Sequence, residues 1–252
     1  MQKVNIQRFT SLLPTADSKA MKVSWSTLID DDSDVLDQLY LTFAKTYPGL
    51  DKKGQASFSV QLLTYQLASV LVEATLSENL QLNISVEDVQ LGLNGESGFQ
   101  AQSRLPTLHF NEPCVCAQTT TVRPLAEHLY CTVGQFVEPL IHKQRNAMRL
   151  SIGAQWRLVA DAIASACLAA GQLHNKSEQA IHLFRAMQKI NGSKIANPQT
   201  CIIKLCQKNN RYFVSRGGCC RYYTALGADY CAGCIHRSID NQIERINALL
   251  VG

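Results

Sequence analysis

The sequence lacks a Gly-rich dinucleotide fingerprint: Gly217-Gly218 is followed by neither the spacing nor the helix that such a turn requires. That removes the usual means of holding a nicotinamide or flavin nucleotide, so redox chemistry here would draw on an external electron donor. No basic run with interleaved aromatics occurs, which sets nucleic acid aside. Long apolar runs are missing too. The most apolar stretch, 158–171, contains Asp161 and is too short to cross a bilayer, so no transmembrane segment is expected. Between Met1 and Met21 there is no continuous apolar segment of the secretory kind, and the expected location is the cytoplasm, where thiols stay reduced. Charged residues are only 17% of the 252 and hydrophobic residues 46%, which suits a globular chain that can bury a core without a metal. There is no internal repeat and no low-complexity tract.

What the sequence does have is cysteine, ten in all. Four of them, Cys219, Cys220, Cys231 and Cys234, follow the spacing C-C-x10-C-x2-C. Two residues between thiols let a tight turn aim both sulfurs at one ion, and Gly233 removes a side chain that would crowd it. The adjacent pair is different. Neighbouring side chains on an extended backbone point to opposite faces, so Cys219 and Cys220 share a single metal only with local distortion. Two irons relax that demand. Gly217 and Gly218 permit a strained turn and let backbone N–H groups approach the sulfurs, which is one way a protein tunes a cluster. The spacing favours a [2Fe-2S] cluster over the strongest rival, a four-cysteine zinc site, and disulfides conflict with a reducing compartment.

The same run resembles the C-terminal signature of the FhuF-type ferric-siderophore reductases, which carry an atypical [2Fe-2S] centre. All four cysteines align, with the aromatic Tyr222 or Tyr223 and the turn at Gly227, over about the last forty residues. One position departs: the family often has proline after the last cysteine, where this chain has Ile235. The resemblance implies one-electron reduction of siderophore-bound Fe(III) to Fe(II), hydroxamate siderophores included, by the cluster itself, with a ferredoxin or a reductase as donor. Two other readings stay open: a zinc-stabilised binding protein, and an iron–sulfur electron carrier or sensor without siderophore specificity.

The expected fold class is α+β, predominantly helical, with small antiparallel β elements and a C-terminal iron–sulfur segment. Residues 1–200 form the scaffold and 201–252 the cluster segment. Helices are expected from Ser33 (as cap) to about Lys45, over 55–79, over 124–145 with Pro124 at the first position and a bend at Pro139, over 151–170, over 177–190, and after Cys234 as a clamp on the cluster loop. Alternation at Val89, Leu91 and Leu93 before Asn94-Gly95 signals a hairpin, and Pro106 and Pro113 bracket a loop that carries Cys114-x-Cys116. Strands are expected over 200–206 and 211–214, joined through Lys208-Asn209-Asn210. Cys167 reads as core, and His128 and His142 lie too far apart on one helix to bind one ion.

The net charge of +4 is concentrated in residues 201–252, where seven cations face three anions. Arg216, Arg221 and Arg237 therefore read as a basic rim that steers an acidic donor or an anionic chelate to the cluster. Arg149 and Arg157, with Trp156 as an apolar wall, form a second candidate hold for the chelate; the plain alternative is helix-end charge.

Overall fold

A computed structural model describes residues 3–14, 20–93, 105–111, 113–206 and 211–251. In chain order the elements are β1 (Met21–Ser24), α1 (Trp25–Ile29), α2 (Val35–Thr46), α3 (Lys52–Glu78), β2 (Leu80–Asn83), β3 (Val89–Leu93), β4 (Thr107–Phe110), β5 (Cys114–Gln118), α4 (Val122–Met148), α5 (Ile152–Leu173), α6 (Ser177–Gln188), β6 (Cys201–Cys206), β7 (Arg211–Ser215) and α7 (Ile239–Val251). The fold is α+β and mostly helical. All strand pairing is antiparallel: a sheet ordered β1-β3-β4 and the pairs β2-β5 and β6-β7. No helix among the described residues is long and apolar enough to cross a membrane.

The long helix α3 is the axis of the core. It is buried nearly all round, with Val60, Leu63, Leu67, Val70 and Ala74 fully enclosed, and it packs chiefly on α5. The small residues of α5 make that approach possible: Ala160, Ala164, Ala166 and Ala170 present no side chain beyond Cβ and are all fully buried. Both ends of α3 are closed. The Asp51 carboxylate accepts the Gly54 N–H at 2.7 Å, and Asn79 ends the helix in the left-handed region at φ 57°. Ser151 starts α5 by accepting the Ala154 N–H at 3.2 Å. Gly153 and Gly134, in α5 and α4, meet nothing within 4 Å of a built Cβ, so Gly153→Ala should raise stability by about 0.5–1 kcal/mol in thermal unfolding.

Several boundaries move. Asp34, not Ser33, is the residue that precedes α2, with the Val35 N–H donating to Ser33 Oγ at 3.2 Å. Helix α4 begins two residues before Pro124, which costs nothing because the first-turn N–H groups have no helical partner. After Pro106 the chain is not a loop: β4 occupies Thr107–Phe110 and pairs with β3, Val89 opposite Phe110. The buried Gln66 of α3 holds this strand, its amide donating to Pro106 O at 2.8 Å and accepting from Leu108 N at 2.6 Å. Cys114 and Cys116 lie on β5, where the Cys116 thiol donates to Gln81 O at 3.1 Å. Cys167 is fully buried, as expected of a core residue. The turn signals Asn94-Gly95 and Lys208-Asn209-Asn210 lie outside the described residues.

Candidate functional site: a thiol loop over a buried aspartate

The chain leaves β7 at Ser215 and turns across α5. Asp161, in the middle of α5 and 1% exposed, holds this turn. Its carboxylate accepts the Gly217 N–H at 2.8 Å, the Gly218 N–H at 3.0 Å and the Thr200 hydroxyl at 2.7 Å. Arg216 Nε stands 3.5 Å from the same carboxylate. Burial pushes the Asp161 carboxyl upward, while Arg216, the two backbone N–H groups and Thr200 pull it back down. The glycines are required by space. A Cβ on Gly217 would lie 1.9 Å from Asn197 Nδ2, and one on Gly218 would lie 2.9 Å from Leu158 N. The N–H groups expected to face sulfur thus serve Asp161 instead.

Beyond the turn come Cys219 and Cys220, then Arg221 in the left-handed region at φ 60°. The Arg221 Nε donates to both Asp51 oxygens at 2.9 Å, a bidentate grip on the residue that caps α3. Leu226 N donates to Pro48 O at 2.7 Å, Asp51 N donates to Thr224 Oγ1 at 3.1 Å, and the Tyr222 ring meets Tyr47 edge-on at 5.9 Å. The chain then returns through Cys231 to Cys234, with Cys234 N donating to Cys231 O at 3.1 Å. Gly233 is needed because a Cβ there would stand 2.9 Å from Val214 O, the neighbouring strand. Helix α7 closes the return: Gln242, 2% exposed, donates to Cys234 O at 3.1 Å.

Cys220 and Cys234 are buried; Cys219 and Cys231 are half-buried. The four sulfurs are electrostatic neighbours. Cys220 shares a hydrogen bond with Cys231, and Cys234 acts on both Cys219 and Cys231. Arg216 Nη1 points into the group, 3.4 Å from Cys220 Sγ and 3.7 Å from Cys231 Sγ. The hydrogen bond from Cys231 and the Arg216 charge bring the Cys220 thiol down to about 5, whereas the shared bond and burial push Cys231 up. Cys219 is raised by burial, and its sulfur stands 3.5 Å from Nε2 of the exposed His236. His236 also packs on Tyr230 and Tyr223, at 5.1 and 5.9 Å.

The residues fit a thiolate-ligated metal group in kind: four thiols on one braced loop, one already favoured as thiolate, and a half-buried cation to offset the charge. Among the described residues no three His, Cys, Asp or Glu groups stand so as to hold a metal ion.

Each arginine of the expected basic rim has a partner within the chain. Arg216 is 21% exposed and spent on Asp161 and the thiols. Arg221 is spent on Asp51. Arg237, 11% exposed, donates to Asp229 Oδ2 and Tyr230 O at 2.8 Å and to Cys231 O at 3.2 Å, so it braces the return of the loop. A charge count could not tell a docking cation from an internal one. Trp156 is buried too, with Lys194 Nζ 5.3 Å from its ring, and the α5 residue beneath Gly218 is Leu158. Arg149 ends α4 in the left-handed region, and both it and Arg157 are exposed. Sequence reasoning missed Asp161, Asp51 and His236 as parts of the site. Asp161 did leave a signal, a lone charge inside the most apolar stretch of the chain.

The Asp51–Arg221 pair has a consequence for pH. Arg221 holds the Asp51 carboxyl below its ordinary range, so the fold favours the ionised form. The stabilisation is complete above the ordinary carboxylate value of about 4 and disappears as pH falls through the lower folded value. The pair is about one-third exposed, with side chains at 30% and 36%, so screening keeps the effect below about 1 kcal/mol. Asp51→Asn should flatten the acid limb of a stability–pH curve by that amount and leave its neutral limb parallel to wild type.

No protein-family model matches the chain, and no curated protein matches it.

Proposed function

We propose that the protein is a ferric-siderophore reductase of the FhuF type, in which Cys219, Cys220, Cys231 and Cys234 hold a [2Fe-2S] cluster. The observation that supports this best is the Arg216 guanidinium set between Cys220 and Cys231, one thiol from each half of the four-cysteine loop. When bound, such a cluster supplies one electron at a time, matching the single electron that separates Fe(III) from Fe(II). The residues of the chain do the rest. Arg216 offsets thiolate charge in a buried site, Asp161 fixes both Arg216 and the glycine turn, and Arg221, Arg237 and Gln242 lock the two halves of the loop in register. Cys219, beside exposed His236, gives the loop a solvent-facing side. The substrate's hard oxygens hold Fe(III) tightly and Fe(II) far less, so reduction releases the iron. Each mismatch of about 59 mV between donor and chelate shifts a one-electron equilibrium tenfold, and removal of Fe(II) draws the reaction forward. The reducing equivalent comes from a ferredoxin or a reductase.

The test is anaerobic purification with iron and sulfide supplied. Two irons per chain, visible charge-transfer absorption and a paramagnetic signal on one-electron reduction are expected, with Cys219→Ser, Cys220→Ser, Cys231→Ser and Cys234→Ser each changing or abolishing them. A colourless, zinc-containing preparation would overturn the cluster. A ferrous-trap assay with several siderophores tests the substrate: a coloured protein that frees iron from none of them is a carrier or sensor, and the reductase reading fails.

A further inference from the structure

A cavity of about 490 Å³ opens between α3, α5, β7 and α7, and Cys231 is the one thiol of the loop in its wall. The size lies within the usual small-molecule range of about 300–1,000 Å³. Its lining is mostly apolar and aromatic. Phe58 sits at the centre of a ring cluster, 4.9 Å from Tyr47 and 5.8 Å from Phe43, and Tyr65 completes the aromatic side. Such walls take the face or edge of another ring well.

Among the described residues, Asp161 and Arg216 are the only charged lining groups of the cavity, and they face each other at 3.5 Å. Neither is free to receive an ion, because Asp161 also accepts two backbone N–H groups and Arg216 also faces two thiols. Against the described lining, an ionic occupant would lose its hydration without gaining a partner. An uncharged ring would gain apolar contact, and the amide of Gln61 and the tyrosine hydroxyls supply the few polar groups that orient such a ligand.

We infer that this cavity binds an uncharged aromatic small molecule of phenol or naphthol size, its ring against Tyr47 and Phe58 and its edge on the Cys231 side of the thiol loop. The inference rests on the reductase reading only for the redox meaning of that position; the binding follows from the cavity itself. The ring could reach it free in solution or carried on an iron chelate.

The experiment is calorimetric or fluorescence titration of the full chain, both metal-free and iron-loaded, with 1-naphthol. Saturable one-to-one binding is expected in both forms. Naphthalene-1-sulfonate, the same ring with a charge, should bind at least about tenfold more weakly. Ser165→Phe, which fills the cavity from α5, should abolish binding, and Phe58→Leu should weaken it about tenfold while leaving the circular-dichroism spectrum unchanged. Ferric tris(benzohydroxamate), an uncharged chelate bearing aryl rings, separates the sources: tighter binding than 1-naphthol assigns the ring to the chelate, weaker binding assigns it to a free molecule. Absence of 1-naphthol binding, equal binding of the sulfonate, or undiminished binding by folded Ser165→Phe would overturn the inference. Failure to incorporate iron leaves the metal-free titration standing, so the two readings fail separately.

Discussion

Asp161→Ala is expected to lower stability by about 3–5 kcal/mol, a melting temperature lower by roughly 10 °C, because it leaves the half-buried Arg216 without its charge partner and strips the buried turn of its acceptor. Three further losses fall on the same atoms. The Gly217 and Gly218 N–H groups lose their acceptor inside the core, and the Thr200 hydroxyl loses its own. Arg216 would then face only the thiols. The effect should spread from α5 into the loop, since nothing else on α5 accepts those two amides among the bonds described. Two measurements separate this from ordinary core damage. Thiol titration of the folded protein should show Cys220 and Cys234, buried in wild type, becoming reactive. Asp161→Asn should recover only part of the stability, because an amide accepts hydrogen bonds but cannot answer the Arg216 charge. A variant that melts like wild type with the same two thiols protected would show that Asp161 is not the anchor of the loop.

Gly217→Ala is the second large effect. The added methyl would fall 1.9 Å from Asn197 Nδ2 and 2.5 Å from Thr200 Oγ1, closer than any relaxed contact. These two side chains cannot simply step aside: Asn197 donates to Thr200 at 3.1 Å, and Thr200 donates to Asp161. Forcing a methyl into a packed site costs about 1–3 kcal/mol, and breaking one buried hydrogen bond adds about 1–3 more. A loss of roughly 3–5 kcal/mol is therefore expected, again with release of the buried thiols. Gly153→Ala, where the space is open, is the matched control and should move in the opposite direction. Stability of Gly217→Ala within about 1 kcal/mol of wild type would mean that the turn has more room than its contacts indicate.

Local patterns carried the helices. Apolar spacing placed α2, α3, α5, α6 and α7 within a few residues, because helical periodicity is written in each segment's own sequence. The spacing of four cysteines likewise marked the loop, since ligand-type spacing is written within sixteen residues. What stayed hidden depends on partners far away in sequence. Strand β4 exists because Gln66, some forty positions earlier, satisfies Pro106 and Leu108; the two prolines alone read as loop boundaries. The arginines read as a rim because charge is visible in a sequence and its counter-charge is not. Arg221 meets Asp51 across 170 positions, and Arg216 meets Asp161 across more than fifty. Nothing near Gly217 announces that its N–H is spoken for.

Asp51 serves two masters. One oxygen closes the first turn of the longest core helix, and the same carboxylate clasps Arg221 next to the paired thiols. Any strain that a guest imposes on the thiols is therefore transmitted to the start of α3, and amide exchange at Gly54 becomes a gauge of what the distant loop is carrying.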